Sequence, residues 1–164
     1  MQTLQSRMKY LRNTELLSAV ALPAALCFYW SGAGAPVAWG LRVATLALVS
    51  HILLQGALYW HLKLQTVVRR HAMPAWFASL YRCFRSTNIV LIAVAGMALG
   101  LTPGATAVDM AWCAGLLAFA VLEQINYYHY QLMYDTRAAL AQLRRHGRLR
   151  RAALGLDLER RSAA

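Results

Sequence analysis

The side chains equipped for more than packing lie in two otherwise apolar stretches. In the first, from Ser50 to His61, the residues His51, Gln55 and Tyr59 recur every four positions and so share one face of a helix. In the second, from Leu122 to Gln131 and just beyond, Glu123, Asn126, Tyr127, Tyr130 and Tyr134 form one stripe, while Gln124, Tyr128, Gln131 and Asp135 form another. Aligning the boundary aromatics Trp60 and Tyr128 puts Gln55 level with Glu123, and His61 level with His129. The expectation is a polar cluster in which His51, Gln55 and Tyr59 meet Glu123, Asn126 and Tyr127.

A charged group at the centre of a membrane helix costs about 2.5 to 3.5 kcal/mol on insertion scales. Glu123 stands five residues before Tyr128, which places it about 7 to 8 Å inside the boundary by helical rise. It must be paired, protonated or hydrated there, and the partners in reach are His51, Gln55, Asn88 or a cation of the middle connection. Three chemistries fit the cluster. Polar side chains bond helix to helix in membrane bundles, at around 0.6 kcal/mol per bond on average. The same groups can instead line a site that binds or relays a small solute, ion or proton, or, with Glu123 as general base, serve an enzyme acting on a lipid or quinone. A metal or haem held by His61 and His129 is the third, although histidines at an aromatic boundary are commonly just exposed. The chain contains no HExxH helix, GxSxG elbow, P-loop or glycine-rich dinucleotide turn. No cofactor and no catalytic residue are therefore assigned, and the reading leans away from an enzyme.

The elements that must carry these residues follow from hydropathy. The chain has 164 residues, of which 59% are hydrophobic and 14% charged, a balance too apolar for an ordinary soluble domain. Crossing a hydrocarbon core takes about 20 helical residues, and the apolar runs with their flanks predict four spans near residues 14–31, 37–61, 76–101 and 107–135. Residues 1–135 then form an all-α, four-helix transmembrane bundle, and residues 136–164 a cytoplasmic basic amphipathic tail. Ser31 to Pro36 and Gly100 to Gly104 make short turns, so consecutive spans pair as antiparallel hairpins. Pro74 sits where a helix can start. Trp76, Phe77, Leu80, Tyr81 and Phe84 after it share a face expected to lie in the interface.

Charge sets the orientation. Arg7, Lys9 and Arg12 precede the first span, Lys63, Arg69, Arg70, Arg82 and Arg85 fall between the second and third, and eight arginines follow the fourth; the other two connections hold only Arg42. This is the positive-inside pattern of a multi-pass bacterial-type inner (plasma) membrane protein with both termini in the cytosol. A cleaved signal peptide over Met1 to Ala35 is the competing interpretation, but it leaves an odd number of spans and sets the arginine-rich tail opposite the basic middle connection.

A formal charge of +11 comes without any nucleic-acid recognition signature, so anionic lipid headgroups are the expected partners, at about 1 kcal/mol per basic residue near the surface. In the tail, Arg144, Arg145, Arg148, Arg150 and Arg151 crowd around Leu140, Leu143, Leu149, Ala152, Ala153 and Leu156, which predicts a segment that lies on the membrane or docks on a partner. A homo-oligomer or a membrane-complex partner is compatible with this. Cys27, Cys83 and Cys113 lack metal or redox spacing and are read as inert thiols, with a disulfide between Cys27 and Cys113 as the alternative.

The segment from Leu122 to Asp135, followed by Arg148 to Leu158, resembles the C-terminal half of small multi-span bacterial membrane proteins. The resemblance implies an integral membrane protein, with Glu123 and Asn126 at patterned positions, and carries no activity. The most economical functional expectation is a non-catalytic accessory or scaffold protein of the membrane.

Overall fold

The computed structural model describes residues 2–32, 34, 37–133, 141, 144–145 and 147–161. Tyr134, Asp135, Leu140 and Leu143 lie outside the described residues, as does the expected domain boundary at 135/136.

The described chain is all-helical. Helices α1 (Gln2–Ser31), α2 (Trp39–Arg69), α3 (Phe77–Leu101) and α4 (Ala107–Tyr128) are each long and apolar enough to cross a membrane, and a short α5 covers Ala153–Arg160. α1 begins well before residue 14, because Gln2 to Asn13 is rich in residues that lose little rotamer freedom in a helix. It also runs on through Pro23. α2 continues eight residues past 61, since Leu62 and Leu64 still find buried positions. It stops where Arg70 turns left-handed, at φ 53°. α4 ends at Tyr128, short of the expected 135.

α2 is the central helix. It packs against α1, α3 and α4, while α3 also packs on α4. Its neighbours bury Val49, Ile52, Leu53 and Tyr59, each nearly sealed from solvent. The face that follows Pro74 turns inward rather than into an interface: Phe77 and Tyr81 are fully buried, and only Trp76 of the boundary aromatics there remains half exposed. Leu16, Leu17, Val20, Val90, Val94 and Met97 point outward, as side chains do that face hydrocarbon instead of water.

At about 1.5 Å per residue, the 30 and 31 residues of α1 and α2 exceed a hydrocarbon core of roughly 30 Å. Counting about 20 residues from Ser31, Trp39 and Ala107 places that thickness near Leu11, Tyr59 and Tyr127. Beyond this level the ends of α1 and α2 project, carrying Arg7, Lys9, Lys63 and Arg69, with Arg12 at the level itself. This is the basic end of the bundle.

The tail closes back onto that end. Gln131 N–H donates to the Arg150 carbonyl (2.8 Å) and Ala152 N–H to the His129 carbonyl (3.1 Å), an antiparallel contact that bridges Tyr130 and Arg151. α5 then buries Leu154 and Leu158. Arg161 donates to the carbonyls of Met73 (2.8 Å) and Pro74 (3.2 Å) and stacks over Phe77. The apolar face of the tail is thus carried by Leu154 and Leu158 of α5, whereas Leu149, expected in that face, is exposed and non-helical. Gly155 permits the docking, since a Cβ there would stand 2.6 Å from the Tyr128 carbonyl oxygen. Overpacking of this kind costs about 1 to 3 kcal/mol. Gly155→Ala is accordingly expected to speed amide hydrogen exchange across Ala153–Arg160 by about tenfold or more, with exchange in α2 and α4 unchanged; equal protection in the variant would contradict this docking.

Candidate functional site

Three polar assemblies occupy the bundle, and none has the membership that helical spacing alone proposes. The first joins α2, α3 and α4. Gln55 and Asn88 exchange amide hydrogen bonds of 2.9 and 2.8 Å, Asn88 Nδ2 also donates to Gln124 Oε1 (2.9 Å), and Gln124 Nε2 donates to the Arg85 carbonyl (3.2 Å). The Tyr128 hydroxyl donates to Gln55 Oε1 (3.3 Å) and that of Tyr81 to the Gln55 carbonyl (2.9 Å). Gln55, Asn88 and Gln124 are all buried, and each side-chain amide both donates and accepts. Gln55 therefore meets the second stripe of α4, Gln124 and Tyr128, rather than Glu123, Asn126 and Tyr127.

The second assembly lies at the opposite end from the basic cluster. Asp109 opens α4 in a capping box: its Oδ2 accepts from the Thr106 N–H (2.9 Å) and hydroxyl (2.7 Å), and the Thr106 hydroxyl accepts from the Asp109 N–H (3.1 Å). Its other oxygen takes Arg42 Nε (2.7 Å) and the Ala38 N–H (3.1 Å). One carboxylate thereby ties the entry of α2 to the entry of α4. The Arg42 guanidinium sits 5.0 Å from the Trp30 ring centroid, and Trp30 packs edge-on against Trp39 and Trp112. Sequence reading passed over this pair. The available signal was the lone Arg42 of its end facing Thr106-x-x-Asp109, which has the spacing of an N-terminal cap.

The third assembly borders a cavity of about 320 Å³ at the basic end. The N-terminal half of α1 supplies Leu4, Arg7, Met8, Leu11 and Glu15, which recur on one helical face. α2 contributes Tyr59, Trp60 and Lys63, α4 contributes Asn126 and Tyr127, and the returning tail contributes Arg150, Arg151 and apolar residues of α5. Asp157 of α5 accepts from the Tyr59 hydroxyl (2.9 Å) and pairs with Lys63. Arg151 pairs with Glu159.

Glu123 is half-buried, one helical turn before the cavity-lining Asn126 and Tyr127, and accepts from Asn126 Nδ2 at 3.2 Å. Across from it stands Glu15, and the Tyr127 phenol lies between the two carboxyls. Thus the neighbour of Glu123 is a second carboxyl group, not His51, Gln55 or Asn88. In the sequence Glu15 carries no mark beyond its place at the start of the first apolar run. The Tyr127 hydroxyl packs against Gly56, where a Cβ would lie 2.2 Å from the oxygen. It bonds to neither carboxyl at ordinary hydrogen-bond geometry.

The remaining expected members disperse. His51 packs edge-on against Phe84 at 5.9 Å. Tyr59 turns to the tail through Asp157. Asn126 uses its Oδ1 to hold the Leu132 N–H (2.9 Å) in the turn after α4. His61 is exposed and bonded to Gln65 (2.9 Å), and the backbone N–H of His129 donates to the Ile125 carbonyl at the end of α4. Among the described residues, no group of three or more His, Cys, Asp and Glu is placed to hold a metal ion, and Cys27, Cys83 and Cys113 are free thiols. Arg144, Arg145, Arg148, Arg150 and Arg151 are all exposed.

Compared with protein-family models, with curated proteins and with solved structures, the chain matches none. Its class rests on the fold, a helical protein with four segments able to span a membrane.

Proposed function

We propose that this chain is a non-catalytic accessory or scaffold protein of a bacterial-type inner membrane. In this reading both termini face the cytosol, and the arginine-rich segment rests on anionic headgroups or on a membrane-complex partner. The observation that carries it is the distribution of charge. Among the Lys and Arg of the described residues, Arg42 alone belongs to the far end, and it is buried against Asp109. A cation neutralised and enclosed in this way adds little to the bias that orients a membrane chain. The mutual bonding of Gln55, Asn88 and Gln124 favours polar groups that lock helices together over groups that line a pathway.

Two measurements test the reading. In a cysteine-free background, a thiol placed at position 148 is expected to react with an impermeant maleimide only from the cytosolic face, and one at position 102 only from the other. Reaction with the sides reversed rejects the topology. Reversing Arg144, Arg145, Arg148 and Arg150 to Glu removes eight units of charge difference from the tail and is expected to abolish recovery of partners or of bound anionic lipid. A variant that keeps both rejects the scaffold assignment.

A further inference from the structure

The Tyr127 hydroxyl is sealed, and its seal is acidic. The side chain is 5% exposed, and its hydroxyl, packed on Gly56, has no hydrogen-bond partner. Glu15 of α1 stands on one side of the phenol and Glu123 of α4 on the other. A buried hydroxyl without a partner is costly, so whatever answers this one has to arrive through the carboxyls beside it. Glu15 lines the cavity at the basic end and gives that access.

Two independent counts put the carboxyls at one depth. Leu11 and Tyr127 mark the level where the hydrocarbon ends; Glu15 lies four residues beyond Leu11 and Glu123 four residues before Tyr127, so each stands about 6 Å inside that level by helical rise. A charge in hydrocarbon is costly, and two like charges that share a site oppose each other as well. Among the described residues the ion pairs join Arg42 to Asp109, Lys63 to Asp157 and Arg151 to Glu159, and none of them includes Glu15 or Glu123. Arg12, one turn from Glu15, bonds to Asn13 (2.9 and 3.0 Å). The other charged or titratable groups around the cavity are Arg7 of α1, Tyr59 and Lys63 of α2, and Arg150 and Arg151 of the tail. On α4 itself the Tyr128 hydroxyl is turned to Gln55.

With both carboxyls ionised the assembly is short by one proton. Ionised carboxylates only accept, and the phenol has a single O–H to give to two of them, while the Asn126 amide serves Glu123 alone (3.2 Å). One more proton completes the count. The O–H of one carboxyl then donates to the phenol oxygen, the phenol O–H donates to the other carboxylate, and two negative charges become one.

We propose that Glu15, Tyr127 and Glu123 form a binding site for one proton, taken up from solution through the cavity and shared by the two carboxyls across the phenol. Water in the cavity delivers the proton to the Glu15 carboxylate. As the phenol oxygen receives it, the phenol passes its own proton to Glu123, so the phenol is unchanged and Glu15 is again a carboxylate. The site also governs the seam between α1 and α4. α1 packs mainly along α2, and Tyr29 and Trp30 hold Trp112 of α4 at the far end of the seam. At the basic end the same seam is spanned by the two carboxyls, which draw together around a shared proton and repel each other without it. This goes beyond the scaffold reading and does not depend on it, because it needs neither a side of the membrane nor a partner.

The test is infrared difference spectroscopy of the full chain in mild detergent at neutral pH. The expected result is the carbonyl stretch of one un-ionised carboxyl per chain. That band is expected to be lost in Glu15→Gln and equally in Glu123→Gln, because the remaining carboxylate then has no like charge beside it and takes the phenol O–H. In Tyr127→Phe the band is expected to stay and to move to higher frequency, as the bond from the carboxyl to the phenol oxygen disappears. No band in the unaltered protein overturns the site, and so does anything but a shifted band in the Phe variant. Survival of the band in either Gln variant also overturns it, since one carboxyl would then hold the proton alone. Should a variant fail to fold, dicyclohexylcarbodiimide, an apolar reagent that reacts with protonated carboxyls, decides on the unaltered chain. One adduct per chain is expected at neutral pH, divided between Glu15 and Glu123 and formed more slowly as the pH is raised. No adduct at these positions, or adducts at both in one chain, rejects the shared proton.

Discussion

Replacing Asp109 with leucine is expected to destabilise the protein by about 3 kcal/mol, the largest loss from a single substitution in the bundle. The change strands Arg42, whose side chain has 4% of its surface exposed, without a counter-charge, and breaking one side of a buried ion pair costs about 3 to 5 kcal/mol. The lower figure is the appropriate one, because the pair is closed to solvent contact yet lies close beneath the end of the bundle, with little protein beyond it. The Thr106 cap and the tie to Ala38 disappear at the same time. Replacing both partners, Arg42→Met with Asp109→Leu, removes the stranded charge as well and is expected to recover most of the loss. Equilibrium unfolding of the three proteins in mixed micelles measures this. A double variant as unstable as Asp109→Leu alone would show that Asp109 acts through its cap and not through Arg42.

The second large effect belongs to Asn88. In Asn88→Leu the side-chain amide of Gln55 loses its partner from α3 and Gln124 Oε1 loses its donor, while Gln124 Nε2 keeps the Arg85 carbonyl; a buried polar group left unsatisfied costs about 1 to 3 kcal/mol. Relaxation toward other partners inside a membrane protein reduces that cost, so the expected loss is about 2 kcal/mol. The triple variant Gln55→Leu, Asn88→Leu, Gln124→Leu has no orphaned amide and is expected to unfold nearer to the unaltered protein than the single variant does. Tyr128 and Tyr81 make this comparison informative. The Tyr81 bond goes to a backbone carbonyl and survives all three changes, whereas the Tyr128 bond to Gln55 Oε1 is lost in the triple variant. Additional replacement of Tyr128 by Phe should therefore matter little in the triple variant and more in the unaltered protein. Equal effects in both would remove Tyr128 from the network.

These two assemblies also explain why spacing was informative about faces and silent about partners. His51, Gln55 and Tyr59 do share a side of α2, but α2 is surrounded by three helices, so adjacent positions on that side meet different neighbours. His51 reaches Phe84 of α3, Gln55 reaches Asn88 of α3 and Gln124 and Tyr128 of α4, and Tyr59 reaches Asp157 of the tail. On α4 a rotation of one position separates Glu123 from Gln124, and this decides between a cavity beside α1 and a bond to α3. Glu15 carried no mark beyond its place near a helix start, because its surroundings come from α4, more than a hundred residues away.

The sequence by itself determined four membrane-length helices, the two hairpin turns and the concentration of cations at one end. Hydropathy, glycine and proline placement, and charge act through solvent and lipid, and each is felt locally along the chain. Only the tertiary structure decided how far each helix is rotated about its axis, that the tail returns to the bundle through Gly155 and Asp157, and that the Tyr127 hydroxyl packs against Gly56 of α2. Those outcomes depend on which side chains interlock at close range, and the interlocking is a property of several helices together that no single stretch of sequence contains.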